Sequence, residues 1–276
     1  MKYTVTFILY ALYEFTTSAY AQSPDSSNQH NNLLHPVPKN EMRAFATDRP
    51  DATESPYTVD AGHFQLETDL FKRECSKVAG LKTVTNSYNA VNLKLGITHS
   101  MDIQIVAGTW FTSRISEGDI TSKKTGFGGL TVKAKQNIWG NDKGKTALAL
   151  LPFVNVPTAS SEKISGGIAI PIAVALAGDW GFGAQVQTDI KGDQEGDKYH
   201  LNYLVSAAVT HSLCKNLDFF VEGVATRDNE MKAYEYFLDG GLVYALAKNI
   251  NLDGGVYYGL KNTSSKTYFF GLSFRI

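Results

Sequence analysis

The chain has 276 residues, 19% of them charged, and a formal net charge of -1. That balance gives no electrostatic reason to bind nucleic acid, and 24 Gly, 14 Tyr and 15 Phe suit pleated surfaces with tight corners better than a helix-rich core. No continuous apolar run reaches the ~20 residues of a spanning helix, so any membrane insertion has to use strands.

At the N terminus Lys2 precedes an apolar run from Tyr3 to Leu12, and small residues ending in Ala19-Tyr20-Ala21 follow it. This is the grammar of a cleaved secretory signal over residues 1–21, with the mature chain starting near Gln22. Glu14 is an awkward charge at the end of the apolar core, and an N-terminal anchor is the alternative reading. Residues 22–61 are rich in Ser, Asn, His and Pro and show neither structural period, which reads as an irregular tether or a plug.

From Gly62 onward about twelve stretches alternate apolar with polar residues, the pattern of an all-β, up-and-down transmembrane barrel over 62–276. The first, Gly62 to Lys72, sets Phe64, Leu66 and Leu70 against Gln65, Glu67 and Asp69. The second, Tyr88 to Thr98, puts Asn92 and Lys94 inward; the third sets Ile103, Ile105 and Phe111 against Asp102, Gln104 and Trp110. The fourth, Phe127 to Trp139, alternates apolar residues with Thr131, Lys133 and Lys135. After the Asn141 to Gly144 turn come strands over 146–156 and 167–176, where Pro152 and Pro171 call for bulges or strand ends because proline cannot donate to a ladder. The remaining six point Gln185, Gln187, Asp189, His200, Asn202, Phe220, Glu222, Asp239, Asp253, Tyr257 and Arg275 inward. The last carries Tyr268, Phe270, Leu272, Phe274 and Ile276 on one face, a stripe that resembles the assembly signal of outer-membrane barrels.

Connections after odd strands are longer and more polar, as at 74–87 and 113–125, and those after even strands are short. Outer-membrane barrels have this asymmetry, with short periplasmic turns and both termini inside. It places Cys75 beyond the outer end of the first strand and Cys214 in a turn at the opposite end, too far apart for a disulfide, so both are expected as free thiols.

Candidate lumen-lining residues are therefore Glu67, Asp69, Lys94, Asp102, Trp110, Lys133, Lys135, Asp189, Phe220, Glu222, Asp239, Asp253, Tyr257 and Arg275. Their mixed charge argues against strong ion selectivity, and Trp110, Phe220 and Tyr257 either line a path for apolar solutes or fill space. No catalytic, metal or cofactor site is expected. His200 with Asn202 is on an inward face and His211-Ser212 falls in a predicted short turn, so neither supplies the lipid-facing nucleophile and base of an outer-membrane phospholipase. Six scattered His residues support no metal site, and the glycines at 126, 128 and 129 lack the Lys and helix start of a phosphate loop.

Ahead of the first strand, Asp48, Arg49, Pro50, Asp51, Glu54, Ser55 and Pro56 group three further carboxylate-bearing positions around one Arg. As a structural element this segment would sit in the barrel mouth, pairing either Arg49 with an inward carboxylate or Asp48 and Glu54 with Lys133 or Lys135. Continuing through Val59, Gly62, His63, Phe64, Gln65, Leu66 and Glu67, it resembles the opening signature of an outer-membrane transporter family named after the MetA pathway of phenol degradation. The resemblance implies a channel or transport role for small organic or aromatic compounds and brings no catalytic residues. The expected partners are the lipid bilayer, lipopolysaccharide, the outer-membrane assembly machinery and small solutes. A structural or adhesion barrel whose outer loops bind partners is the reading from another class.

Overall fold

The computed structural model describes residues 31–157, 163–193 and 195–276; the expected signal segment lies outside them. It contains β1 (Phe64–Val78), β2 (Leu81–Tyr88), β3 (Ala90–Thr98), β4 (Met101–Ala107), β5 (Trp110–Glu117), β6 (Ile120–Phe127), β7 (Leu130–Trp139), β8 (Thr146–Val156), β9 (Ser165–Ala175), β10 (Trp180–Gly192), β11 (Tyr199–Cys214), β12 (Leu217–Asp228), β13 (Ala233–Ala247), β14 (Ile250–Gly259) and β15 (Lys266–Arg275). Twelve of them, β1, β3, β4 and β7 to β15, pair antiparallel in turn, and β15 closes the ring on β1. Closure leaves the barrel wall without an edge, so every spanning strand can satisfy its backbone on both sides. Alternation along each strand leaves Ile103, Ile105, Val205, Leu238 and Leu242 exposed on the outside and buries Gln104, Asn202, Glu222 and Asp239 inside.

The stretches expected as long polar loops, 74–87 and 113–125, are strands instead. β1 runs on to Val78 and returns as β2 through Ala79-Gly80, both at positive φ (48° and 89°), the geometry of a two-residue primed hairpin turn. β5 and β6 form a second hairpin, and the order β1-β2-β5-β6 makes a wall that stands beyond the barrel rim at the end away from Ile276. Polarity alone suggested loops, but β2, β5 and β6 carry five Thr together with aromatic residues at their barrel ends, which favour a pleated surface.

At one level all four strand lines break. The breaks are a bulge between Asp69 and Phe71 in β1, Asn89 at φ 51° between β2 and β3, and the gaps at 108–109 and 128–129. Gly108 and Gly128 pack backbone to backbone there, and a Cβ on either would meet the other's Cα at 2.7 Å. The break inverts which residues face out, because Phe71 pairs with the outward Phe270 while Glu67, on the same parity in β1, is buried inside. Tyr88, Trp110 and Phe127 then follow on that outer face, with rings of Phe71 and Tyr88 5.6 Å apart and of Trp110 and Phe127 5.4 Å apart.

Pro152 and Pro171 cause neither bulges nor strand ends. Each sits mid-strand, and the ladders β7–β8 and β8–β9 skip the rungs beside them and resume in the same register. The outward stripe of apolar residues holds the register while the donor-less position forfeits its bond. Cys75 lies within β1, opposite Val84 and Lys266, and Cys214 ends β11; both are free thiols.

Candidate functional site

The inward strand positions are largely polar, and burying them needs partners. Residues 45–60, which form no strand, supply these from within the ring of strands. Asp48 takes Lys135 Nζ at 2.6 Å on one oxygen and Lys94 Nζ at 2.5 Å on the other, while Lys94 also pairs with Glu67. The backbone N–H groups of Asp48 and Arg49 donate to the Glu67 carboxylate at 3.0–3.2 Å. Burial alone would push the Asp48 carboxyl up, but Lys135 and Lys94 outweigh it and hold the group well below the usual carboxylate range.

Arg49 reaches across to the opposite side of the signature. Its guanidinium donates to both Asp253 oxygens, at 3.2 and 2.7 Å, and to Asp69, and lies 6.0 Å from the Phe269 ring centre. Gly271 leaves room for it: a Cβ there would stand 2.1 Å from Arg49 Nη2. Further along, the N–H groups of Ala52 and Thr53 donate to Glu222 at 2.7 and 2.8 Å, the Glu54 N–H donates to Gln185 Oε1 at 2.9 Å, and Glu54 pairs with Lys133. The Ser55 N–H donates to Asp48, folding the segment on itself, and Asn137 Nδ2 donates to the Pro56 carbonyl. Val59 N–H donates to Asp102, and Asp60 receives Arg275 and Arg43 at 2.9 and 2.7 Å.

This path divides the interior. A cavity of ≈ 580 Å³ lies on the wall side, lined by Lys133, Asp189, Lys191, Gln187 and Asn202, and one of ≈ 680 Å³ lies toward the termini, lined by residues 45–47, 49–51 and 53–57 with Ala208, Asp218 and Phe220. Glu54 borders both. A third, of ≈ 260 Å³, is bounded by Arg49 to Ala52, Asp69, Lys72, Asp239 and Tyr257. Asp51 faces it with its carboxyl pushed well up, first by burial and then by Glu222. Toward the chain termini, Val37, Met42 and Ala61 form a small apolar cluster, and the Leu33 N–H donates to the Ile97 carbonyl at 2.9 Å.

Of the residues read as lumen-lining, all but one lie inside. Trp110 is the correction: it is on the outer face, in the aromatic row set by the inversion at the strand breaks. Phe220 is buried, and Tyr257 stacks at 4.6 Å on Phe237, an inward aromatic that the sequence reading missed among the outward Tyr236 and Leu238. Lys94 as a partner of Asp48 was also missed, although its place in the second strand signalled an inward charge. The expected turn at His211-Ser212 is strand: His211 stacks 4.2 Å from Trp180 on the outer face, and Ser212 Oγ donates to Asp218 at 2.6 Å.

The family model described as "Putative MetA-pathway of phenol degradation" matches residues 47–276, the whole barrel with its signature segment. The chain belongs to this family. An outer membrane channel from Pseudomonas putida F1 has the same fold, with TM-score 0.60 and 11% identity over 83% of this chain and 98% of that one. The NanC porin matches with TM-score 0.51 and 14% identity over 76% of this chain and 100% of that one. A comparison with curated proteins finds no match. Family and fold together make the chain an outer-membrane β-barrel.

Proposed function

We propose that the protein is a channel for passive passage of small solutes across a Gram-negative outer membrane, with both termini periplasmic and residues 45–60 forming its constriction. The observation that carries this is the division of a polar interior into two open chambers by a single strand of chain at Thr53–Glu54, held to the wall by Glu222, Gln185 and Lys133. A filled structural barrel needs no such chambers. Family membership and the inward Phe220, Phe237 and Tyr257 favour small organic or aromatic solutes. The C-terminal aromatic stripe serves recognition by the assembly machinery, and the shortness of the β3–β4, β11–β12 and β13–β14 turns supports a periplasmic location for that end.

Planar-bilayer conductance and liposome swelling test this. The intact protein should conduct weakly, and the Gln185→Ala, Glu222→Ala double variant, which frees the chain at Ala52 to Glu54, should conduct more. Swelling should be faster in benzoate than in an aliphatic carboxylate of equal size. Absence of conductance and of swelling in both proteins would overturn the channel reading.

A further inference from the structure

The outward face of the wall beyond the rim is charged in one sense only. Register places Arg73 and Lys77 of β1, Lys82 of β2, Arg114 of β5 and Lys123 of β6 on that face, with Val84, Asn86, Thr112 and Ser116 between them. The wall's carboxylates fall elsewhere: Glu74, opposite Thr85 and the buried Thr267, and Glu117, opposite Ile120, are on the inner face, and Asp119 is in the turn. Arg73, Lys82 and Arg114 make no ion pair among the described residues. Together they line one open depression of ≈ 320 Å³.

Height matters as much as charge. On the same face, directly toward the barrel, lies the row Phe71, Tyr88, Trp110 and Phe127, which suits the membrane interface. Arg73 stands two residues beyond Phe71 and Arg114 four beyond Trp110, about 7 and 13 Å along the strands. Elsewhere on the rim Lys266 sits 4.4 Å over Tyr258 and Arg227 5.1 Å over Tyr234, so bases next to outward aromatics recur at this end. Bases immediately above an aromatic row meet the phosphates of lipid headgroups, and three convergent cations without carboxylates fit a ligand bearing more than one phosphate.

We propose that this depression binds the phosphate groups of an anionic glycolipid of the outer leaflet, with Arg73, Lys82 and Arg114 as the phosphate ligands. The inference rests on the orientation given above, with the wall on the outer side, and is independent of solute passage. It gives the wall a purpose that conduction does not require: clamping the β2-β5-β6 sheet, whose outer strand β6 pairs with β5 alone among the described strands, against the membrane surface.

The test is binding of the purified, heat-modifiable protein in nanodiscs to lipid A carrying two phosphates, with phosphate-free lipid A and inorganic pyrophosphate as the other arms. Lipid A should bind, the phosphate-free lipid should bind far more weakly, and pyrophosphate should compete poorly. The Arg73→Ser, Lys82→Ser, Arg114→Ser variant should bind lipid A roughly 100-fold more weakly, Arg114→Ser alone roughly fivefold, and Lys124→Ser on the inner face should be unchanged. Equal binding by the triple variant, or equal binding of the phosphate-free lipid, would overturn the proposal, and full competition by pyrophosphate would replace the lipid with a soluble anion. Conductance of the triple variant should equal that of the parent, so loss of the channel reading and loss of this site are separate outcomes.

Discussion

Arg49 shows how one side chain ties the inserted segment to the barrel. It bridges Asp253 and Asp69 on strands that are not neighbours, and its own position in the chain is fixed by the Glu67 carboxylate taking its backbone N–H. The space for the guanidinium is the missing side chain of Gly271. Gly271→Ala should therefore expel Arg49 without removing any charge, leaving the buried Asp253 and the half-buried Asp69 uncompensated. The cost should approach that of breaking a buried pair, about 3 kcal/mol, read as an earlier urea-unfolding midpoint in lipid vesicles. Gly183→Ala, whose Cβ would make an ordinary 3.5 Å contact with Thr53 Cγ2, is the control and should unfold like the parent. At this scale the sequence was partly legible. An Arg among carboxylates ahead of the first strand announced its own pairing, whereas the division of Asp48 between Lys94 and Lys135 depends on how β3 and β7 stand around the lumen.

Among the elements, alternation identified all twelve barrel strands because each has a dry face and a wet one, and a membrane leaves no freedom to blur them. It failed where the period itself changed phase. Phe111 and Trp110 were assigned by running the third strand's alternation through Gly108-Thr109, and the inversion there exchanges their faces. Glycines at 108, 128 and 129 and Asn89 were the available signals, but only pairing between strands shows that the four breaks lie at one level. The consequence is measurable with a protein whose other two tryptophans, Trp139 and Trp180, are replaced by Phe. Trp110 fluorescence should be quenched by brominated lipid chains near the headgroup and be little affected by iodide from the lumen. Quenching by iodide with none from lipid would return Trp110 to the interior and dissolve the aromatic row beneath the basic patch.

For the whole molecule, carboxylates outnumber bases in both chambers of the passage. The wall-side chamber has Glu54, Asp189, Asp228 and Glu235 against Lys133 and Lys191, with Glu54 and Lys133 paired to each other, while the Arg227 side chain lies over Tyr234 on the outer face. The chamber toward the termini has Asp51, Glu54, Asp179 and Asp218 against Arg49 alone, and Arg49 is already held by Asp253 and Asp69. With burial and Glu222 pushing Asp51 toward its neutral form, the excess that a passing ion meets comes from Asp179 and Asp218 at the chamber's outer margin. Such a margin concentrates cations without binding them, so the channel should prefer cations by a small factor, and more so at low salt where screening is weak. A reversal-potential measurement across a KCl gradient checks this, with Asp218→Asn reducing the preference and leaving the conductance nearly the same. Anion preference in the parent would mean that the ion path bypasses this chamber, and Glu54, which borders both chambers, would then no longer mark the narrowest point.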